Sequence, residues 1–170
     1  VAVTGVQTCA LPISGTVKSE DSAIDISRYT SEYALSKLVG EAVLRQQYLR
    51  GFCATTVLRF GIIYGPRPSN WSAVEAIFHK VRRGETVQVG AEQTARRFIH
   101  VSDIARGILK AVGLPGFAVV NLEGSRLITL REIADASARV LGTSAEVVAT
   151  GGAASVRDVS GDRAARLLDW

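Results

Sequence analysis

The segment Cys53–Gly65, CATTVLRFGIIYG, constrains the fold of this chain more than any other part of its sequence. Its residues are mostly apolar, many are β-branched, and they do not alternate between apolar and polar positions. A strand with one face in water shows such alternation, whereas a strand covered on both faces does not need it. Gly65 and Pro66 then end the run. The pattern therefore predicts a strand that is buried on both faces in a parallel sheet.

The rest of the chain alternates between helical and extended patterns. A helix is predicted from a cap at Thr30 or Ser31 to about Arg50, where Gly51 ends it. The other predicted elements are, in order, a helix at Trp71–Arg83, a turn at Gly84, strands at Thr86–Val89 and Arg96–His100, a helix capped by Ser102 or Asp103 that runs to about Val112, a strand at Phe117–Leu122, a helix from Thr129 to Leu141 and a short strand at Ala145–Ala149. This order predicts an α/β fold, with helices packed on the faces of a parallel sheet.

Length and composition limit the class of protein. With 170 residues, 47% of them hydrophobic, the chain can form one globular core. The sequence contains no 18-residue apolar run that would span a bilayer, so no membrane partner is expected. The two cysteines, Cys9 and Cys53, are too few for a thiolate metal cage, and only His79 and His100 could add imidazole ligands. We therefore expect no metal, and a reducing, cytoplasmic location.

The charge pattern argues against nucleic acid as a partner. The net charge is +4, with sixteen Arg and four Lys, but the arginines are spread from Arg28 to Arg166 and aromatic residues make up only 6% of the chain. Nucleic-acid binders usually concentrate basic residues in a stripe with interleaved aromatics. Arginine binds phosphate or carboxylate through two hydrogen bonds, so small anionic ligands are expected. An ordinary arginine-rich surface is the alternative.

Tyr33 and Lys37 are candidate proton-transfer groups. They lie four residues apart in SEYALSKLVGEAVL, whose apolar residues recur at helical spacing. Residues at this spacing share one helix face, so the phenol oxygen and the ammonium can reach one bound molecule. A phenol has a pKa of about 10, but a cation fixed beside it favours the phenolate and lowers that pKa toward a useful range. The alternative is an exposed helix face with a tyrosine packed at its edge.

The N-terminal segment Val1–Ser14, VAVTGVQTCALPIS, fits neither a clear helical nor a clear strand period. It resembles the translated sequencing-adapter read-through found at the ends of environmental reading frames. The segment could mimic a short strand and turn, and we exclude it from the fold prediction as non-native. The native sequence is expected to begin near Gly15, so that Gly15–Trp170 forms one domain.

Four sequence blocks between Gly15 and Trp170 occur in an order that is far more specific than any one of them. They are Tyr33-Ala-Leu-Ser-Lys37 followed by Glu41, Leu58-Arg59-Phe60-Gly61-Ile62-Ile63-Tyr64-Gly65-Pro66, Arg96-Arg97-Phe98-Ile99-His100-Val101-Ser102-Asp103, and Val120-Asn121-Leu122 before Thr129. Together they resemble the C-terminal two-thirds of an extended short-chain dehydrogenase/reductase of the NAD-dependent epimerase/dehydratase family. The stretch Asp162–Trp170 resembles the closing stretch of that family.

The resemblance implies a fold, a cofactor and a set of roles. The fold is a partial Rossmann-type parallel sheet, the C-terminal half, with a small α/β substrate-binding region, and the cofactor is NAD or NADP. Tyr33 is then the general acid/base at the substrate hydroxyl or carbonyl, and Lys37 holds the nicotinamide ribose and lowers the pKa of Tyr33. Phe60, Gly61 and Ile62 supply backbone contacts beside the nicotinamide, with Gly61 allowing close approach. A buried strand with a turn glycine explains these three residues as well.

The resemblance also suggests the substrate. Arg96 matches the arginine that grips a substrate phosphate in family members that act on nucleotide sugars. A surface arginine before an edge strand is the alternative. Asp103 matches an aspartate near the start of a helix, and N-capping explains it without any ligand. The implied partner is a small molecule, a nucleotide sugar or a related hydroxyl or keto compound.

The chain departs from the family pattern in three respects. It has no Gly-rich turn of the GxxGxxG type to bind the pyrophosphate, so we expect it neither to hold NAD(P) firmly nor to turn over on its own. The Ser or Thr that polarises the carbonyl would fall near Thr8 or Ser14, neither of which we assign. Ile62 stands where nucleotide-sugar enzymes often have Asn, and Arg97 and Ser102 stand where Asp is common.

Several alternatives for the parent protein stay open. Epimerase, dehydratase and reductase chemistry all use the same acid/base pair. A reductase or dehydrogenase of a non-nucleotide substrate fits Ile62 better, and a non-catalytic relative could use the fold to sense a dinucleotide. The helix that carries Tyr33 is predicted to pack against its own copy in a homodimer through Leu38, Val43, Leu44 and Tyr48. Packing of the same side chains on this chain's own sheet explains the pattern equally well.

Overall fold

A computed structural model describes residues 3–6, 17–28, 31–69 and 71–170 of the chain. The strands are β1 (Val3–Val6), β2 (Thr55–Phe60), β3 (Ile62–Tyr64), β4 (Val87–Val89), β5 (Ala95–Arg96), β6 (Phe98–His100), β7 (Phe117–Leu122), β8 (Ile128–Thr129) and β9 (Val147–Ala149). The helices are α1 (Glu32–Leu49), α2 (Ala73–Arg82), α3 (Val101–Ala111), α4 (Leu130–Leu141) and α5 (Asp162–Leu168), and one 3-10 turn lies at Ile26–Arg28.

The main sheet has the order β1-β2-β7, and both strand pairs are parallel. Strand β2 is in the middle, and its Val57 and Leu58 are fully buried. The prediction of a strand covered on both faces is therefore confirmed. The predicted strand is nevertheless divided in two at Gly61, because the chain there leaves β7 and the next strand, β3, pairs with β6.

Helices cover both faces of the main sheet. On one face, Leu58, Val120 and Leu122 pack in a core together with side chains of α3 and α5. On the other face lies α1, where the ring of Tyr48 is 5.7 Å from that of Phe117. Successive residues of a strand point to opposite faces, which places α1 opposite α3 and α5. The predicted α/β class, with a Rossmann-type parallel sheet, is confirmed.

A second, smaller region is formed by α2, α4 and short two-stranded sheets. The strands pair as β3-β6 and β4-β9, both parallel, and as β5-β8, antiparallel. The buried side chains of this region form a separate core, made of Ile77, Val81, Val87, Val89, Phe98, Ile133, Ala134 and Ala138. The strand predicted at Arg96–His100 is divided at Arg97, and its two halves pair with different partners. This region is the small α/β part that the sequence predicts.

The helix starts test the capping predictions directly. Ser31 caps α1 by accepting a hydrogen bond from the N–H of Ala34, as predicted. Thr129, the predicted first residue of α4, is instead its cap. The predicted cap of α3 by Ser102 or Asp103 is wrong. His100 caps this helix, because the helix follows β6 directly and the imidazole Nδ1 accepts from the N–H of Ser102 at 3.3 Å.

Helix α2 also starts later than predicted. It begins at Ala73 behind the cap residue Ser72 rather than at Trp71. Glu75 completes a capping box, in which its carboxylate accepts the N–H of Ser72 at 2.8 Å. Because this box fixes the first turn, Trp71 stays outside the helix.

Strand β1 lies inside the segment that we set apart as non-native. Its four residues pair with β2 in the register Val3 to Thr56 through Val6 to Arg59. This pairing uses main-chain groups that any residue except proline offers, so it carries no information about the origin of the segment. Cys9, Thr8 and Ser14 lie outside the described residues.

Candidate active site

Tyr33 and Lys37 lie side by side on the first turns of α1. The Nζ atom of Lys37 is 5.1 Å from the centroid of the Tyr33 ring, close enough for a cation–π contact. The Tyr33 side chain is 53% exposed, so the phenol is not sealed in the core. The structure therefore brings the two groups together on a surface that a ligand can reach.

The polar ends of this pair have no carboxylate or hydroxyl partner among residues 17–28, 31–69 and 71–170. Within these ranges no ion pair includes Nζ of Lys37, and no hydrogen bond includes Oη of Tyr33; the backbone carbonyl of Tyr33 accepts one from Oγ of Ser36. An ammonium group has three donors, and a phenol can both donate and accept. Both groups can therefore form hydrogen bonds with a hydroxyl-rich ligand without first breaking a bond within the described part of the protein.

Phe60, Gly61 and Ile62 lie where β2 ends and β3 begins. The N–H of Gly61 donates to the carbonyl of Leu122 at 3.0 Å, which is the last bond between this segment and β7. The site is at the carboxyl ends of parallel strands, where ligands bind in open α/β sheets. The position of these residues is therefore suitable for contacts with a bound cofactor.

The neighbours of Gly61 leave no room for a side chain at this position. A Cβ atom at this position would lie 2.0 Å from Oε2 of Glu123 and 2.9 Å from the carbonyl oxygen of Arg97. The space left by the missing side chain is thus filled by a carboxyl group of the same chain. Close approach of a nicotinamide to Gly61 stays a prediction.

Glu123 is a titratable residue that sequence reasoning missed. It follows β7 directly, and burial raises its pKa to about 8, while Arg97 acts in the opposite direction and Asp158 adds to the rise. Arg97 cannot neutralise it fully, because its Nε atom donates to Asp158 at 2.6 Å. The charged residue immediately after the apolar run FAVVNL is the sequence signal that could have identified it.

Arg96 lies on β5 and contacts the segment that precedes α5. Its Nη1 atom donates to the carbonyl oxygens of Ala95 and Ser155 at 2.7 and 2.5 Å, and Nη2 donates to Oγ of Ser155 at 3.1 Å. Burial lowers the pKa of Arg96, and the nearby positive charge of Arg157 lowers it further. The contacts of Arg96 are thus separate from the Tyr33–Lys37 pair.

Arg157 is a second residue that sequence reasoning missed. Its Nε atom is buried and has no hydrogen-bond partner within the described part of the chain. The positive charges of two neighbouring guanidinium groups favour an anion beside them, such as a phosphate. No sequence pattern marks Arg157, since only the fold brings it beside Arg96.

Other candidate chemistry is weaker. Asp103 forms an ion pair with Arg106 at 2.7 Å in the first turn of α3. Among the described residues there is no group of three or more His, Cys, Asp or Glu side chains that could hold a metal ion. Of the helices described, none combines the length and the apolar character needed to cross a membrane.

A parallel sheet with helices on both faces, and polar groups at the carboxyl ends of its strands, defines a Rossmann-type α/β protein. The chain belongs to the NAD dependent epimerase/dehydratase family, since the model of that family matches residues 7–121, more than half of the chain. The matched part includes Tyr33, Lys37 and Arg96. The family resemblance of the sequence blocks is thereby confirmed.

Individual relatives agree with this result. The chain is 29% identical over 140 residues to dTDP-4-dehydro-6-deoxy-D-allose reductase of Streptomyces bikiniensis, a match that covers 79% of this chain and 43% of that protein. Among solved structures, MoeE5 in complex with UDP-glucuronic acid and NAD has a TM-score of 0.80 at 24% identity, with 99% of this chain and 58% of that chain covered.

A UDP-glucuronic acid 4-epimerase from Bacillus cereus in complex with NAD has a TM-score of 0.80 at 18% identity, with coverage of 99% and 55%. At such identities the two structural matches establish the fold alone. The chain spans about half the length of the relatives that it matches.

Proposed function

We propose that this chain carries the acid/base pair of an NAD-dependent enzyme that acts on a nucleotide sugar. The observation that carries this proposal is the Tyr33–Lys37 contact, with the ammonium 5.1 Å from the ring centroid and the phenol exposed. Family membership supplies the class of reaction, and this pair supplies the groups that such a reaction needs. The reaction proposed is an epimerisation, a dehydration or a reduction.

The residues present are suited to NAD. Lys37 has donors without an acidic partner among the described residues, and these donors can hold the two hydroxyls of the nicotinamide ribose. Phe60, Gly61 and Ile62 lie at the sheet edge where backbone contacts beside the nicotinamide are expected. When bound, NAD exchanges a hydride with the substrate carbon.

Tyr33 would move the proton that accompanies this exchange. When a C–H bond of the substrate alcohol breaks with its electron pair, the O–H electrons form the second bond of the carbonyl, and Oη of Tyr33 accepts the hydroxyl proton. In the reverse direction Oη returns the proton to the carbonyl oxygen. Lys37 lies on the same helix face, so its ammonium would reach the same bound molecule.

The substrate proposal rests on Arg96 and Arg157. The two guanidinium groups repel each other, and a diphosphate bound beside them would compensate both charges. The name of the Streptomyces bikiniensis relative specifies a dTDP-sugar, and the MoeE5 structure contains UDP-glucuronic acid. We therefore propose a nucleoside diphosphate sugar, bound with its diphosphate at this arginine pair.

The experiment uses the complete reading frame that contains this chain. It is incubated with NAD or NADH and a panel of dTDP- and UDP-sugars, while nicotinamide absorbance and product NMR are recorded. Tyr33→Phe is expected to lower kcat by orders of magnitude. Tyr48→Phe is the matched control, because Tyr48 lies on the same helix with its ring packed near Phe117. Undiminished turnover by Tyr33→Phe would contradict the proposal.

The same assay separates the alternatives. An epimerase changes the sugar without net change of cofactor, whereas a reductase consumes NADH in proportion to product. The reductase form is favoured by the name of the Streptomyces bikiniensis relative. Ile62 instead fits the alternative, a reductase or dehydrogenase of a non-nucleotide substrate, because it cannot form the substrate hydrogen bond of an Asn. A non-catalytic dinucleotide-sensing protein would bind NAD without turning over any sugar on the panel.

Three further proposals concern the state of the protein. The 170-residue chain alone should bind NAD weakly and be inactive, because it has no Gly-rich turn for the pyrophosphate. The homodimer of α1 with its copy is proposed through Leu38, Val43, Leu44 and Tyr48; Val43 is exposed, whereas the ring of Tyr48 packs near Phe117 of this chain. A monomeric mass at micromolar concentration would contradict the dimer. A cytoplasmic location agrees with the free thiol of Cys53.

A further inference from the structure

Arg59 is buried although its side chain carries a full charge. It lies on β2, one residue before Phe60, and only 5% of it is exposed. It points to the face that α1 covers, since the adjacent Leu58 belongs to the opposite core. A buried charge is strongly unfavourable unless it is paired and hydrogen-bonded, so the partners of this guanidinium explain its place.

Each of the three nitrogens of the Arg59 guanidinium donates a hydrogen bond within the chain. Its Nε and Nη2 atoms donate to the two carboxylate oxygens of Glu41 at 3.1 and 2.6 Å, the two-pronged geometry that arginine forms with carboxylates. Its Nη1 atom donates to the backbone oxygen of Glu20 at 3.2 Å. The side chains of the Arg59–Glu41 pair are only 6% and 15% exposed, so water screens this contact little.

The two partners of Arg59 bracket the acid/base pair in the sequence. Glu41 lies one helical turn after Lys37, and Glu20 lies in the segment before α1. Glu20 is itself fixed, because its Oε1 atom accepts from the backbone N–H of Asn121 on β7 at 2.9 Å. One guanidinium thus joins the segment before Tyr33, the helix that carries Tyr33, and the strand that leads to Phe60.

We propose that Arg59 is a positioning residue for the acid/base pair, acting through its ion pair with Glu41. This pair sets α1 relative to the end of β2, and so sets Tyr33 and Lys37 relative to Phe60–Ile62. The inference rests on the proposed function. Stability alone is a weak reason for such a pair, because apolar side chains often replace buried ion pairs without loss of stability. Placement is the stronger reason, because a misplacement of about 1 Å can lower turnover by about 100-fold.

The test compares Arg59→Lys and Glu41→Gln with Val57→Ala in the complete reading frame. Lys keeps the charge of Arg59 but lacks the planar guanidinium that bonds both carboxylate oxygens, and Gln keeps the shape of Glu41 but not its charge. Val57 is the matched control, since it is fully buried on the same face of β2 and its apolar side chain forms no hydrogen bond with the ion pair. Denaturant unfolding sets conditions of equal folded fraction for all variants, and kcat, KM and hydrogen exchange of amides 32–40 are then measured.

At equal folded fraction, Arg59→Lys and Glu41→Gln are expected to lower kcat by about 10- to 100-fold with KM for the sugar changed less. Exchange at amides 32–40 should rise by about tenfold, whereas Val57→Ala changes neither property. Equal losses of kcat in all three variants would overturn the proposal, because Arg59 would then only stabilise the fold. If Arg59→Lys does not fold, Glu41→Gln decides.

A failure of the proposed function gives a different result. In that case Tyr33→Phe has no effect on any turnover, while hydrogen exchange still reports whether Arg59 fixes α1. Unchanged exchange at amides 32–40 in Glu41→Gln would overturn the positioning role by itself.

Discussion

Replacing Glu123 by Gln should stabilise the protein at neutral and alkaline pH. Glu123 is held against Gly61, where its Oε2 atom occupies the space of a missing side chain. Burial raises its pKa from 4.5 to about 8, Arg97 opposes this rise, and Asp158 adds to it. The folded protein therefore retains a proton on this carboxyl group at pH values where the unfolded chain has lost it.

The sign and size of the effect follow from this difference. A group whose pKa is higher in the folded state contributes stability below its unfolded pKa, and that stability is lost as the pH rises from 4.5 to about 8. At pH 7, roughly 2.5 pH units above the unfolded pKa, the stability lost corresponds to about 3 kcal/mol. Some solvent reaches the carboxyl, so we expect Glu123→Gln to raise the free energy of unfolding by about 2 to 3 kcal/mol at this pH.

Urea unfolding across this pH range is the assay. The free energy of unfolding of the unsubstituted chain should fall as the pH rises from 4.5 to about 8, and the curve of Glu123→Gln should be flatter. Glu85→Gln is the control. The hydrogen bond from Arg83 lowers the pKa of this exposed carboxylate, so the substitution should change the pH dependence of stability only below pH 4.5. Parallel curves for Glu123→Gln and the unsubstituted chain, or a loss of stability in Glu123→Gln at neutral pH, would show that burial does not raise the pKa of Glu123.

Other substitutions test the local arguments by the same unfolding assay. In Glu75, hydrogen bonds from Ser72 and from the N–H of Gly65 outweigh the opposing effect of burial and lower the pKa to about 2. Glu75→Gln should thus lower the free energy of unfolding by about 2 kcal/mol at neutral pH. The stability that the unsubstituted chain loses as the pH falls from 4.5 to about 2 should be absent in this variant, and an unchanged pH dependence in that range would contradict this. Gly40→Ala should stabilise α1 by about 1 kcal/mol, because nothing lies within 4 Å of the added Cβ, and a loss of stability would refute it. Gly124→Ala should destabilise by about 2 kcal/mol or more, because its Cβ would lie 2.1 Å from the carbonyl oxygen of Phe98, and a neutral effect would contradict the packing.

Elements with local signals could be predicted from the sequence. Helix α4 begins behind Thr129, ends at Leu141 and is followed by Gly142 in a left-handed conformation, as the cap and the apolar period predict. Strand β7 has the predicted bounds, since its apolar run is set off by Gly116 and Glu123. The Tyr33–Lys37 contact could be predicted for the same reason, because both residues lie on one helix and their separation is fixed by helix geometry.

Features that depend on distant contacts could not be predicted. The division of one apolar run at Gly61 depends on Glu123, which is 62 positions away, and on a change of pairing partner to β6. Arg157 lies near Arg96 only because the segment before α5 folds back onto β5. The cap of α3 by His100 was missed because a helix that follows a strand directly has no turn in which Ser102 or Asp103 could act as the cap.

A crystal structure of the complete reading frame with NAD would locate the nicotinamide relative to Tyr33 and Lys37. We expect Nζ of Lys37 within hydrogen-bond distance, about 3 Å, of the nicotinamide-ribose hydroxyls, and Oη of Tyr33 facing the reactive ring edge. A nicotinamide bound away from both side chains would show that Tyr33 and Lys37 are not the acid/base pair.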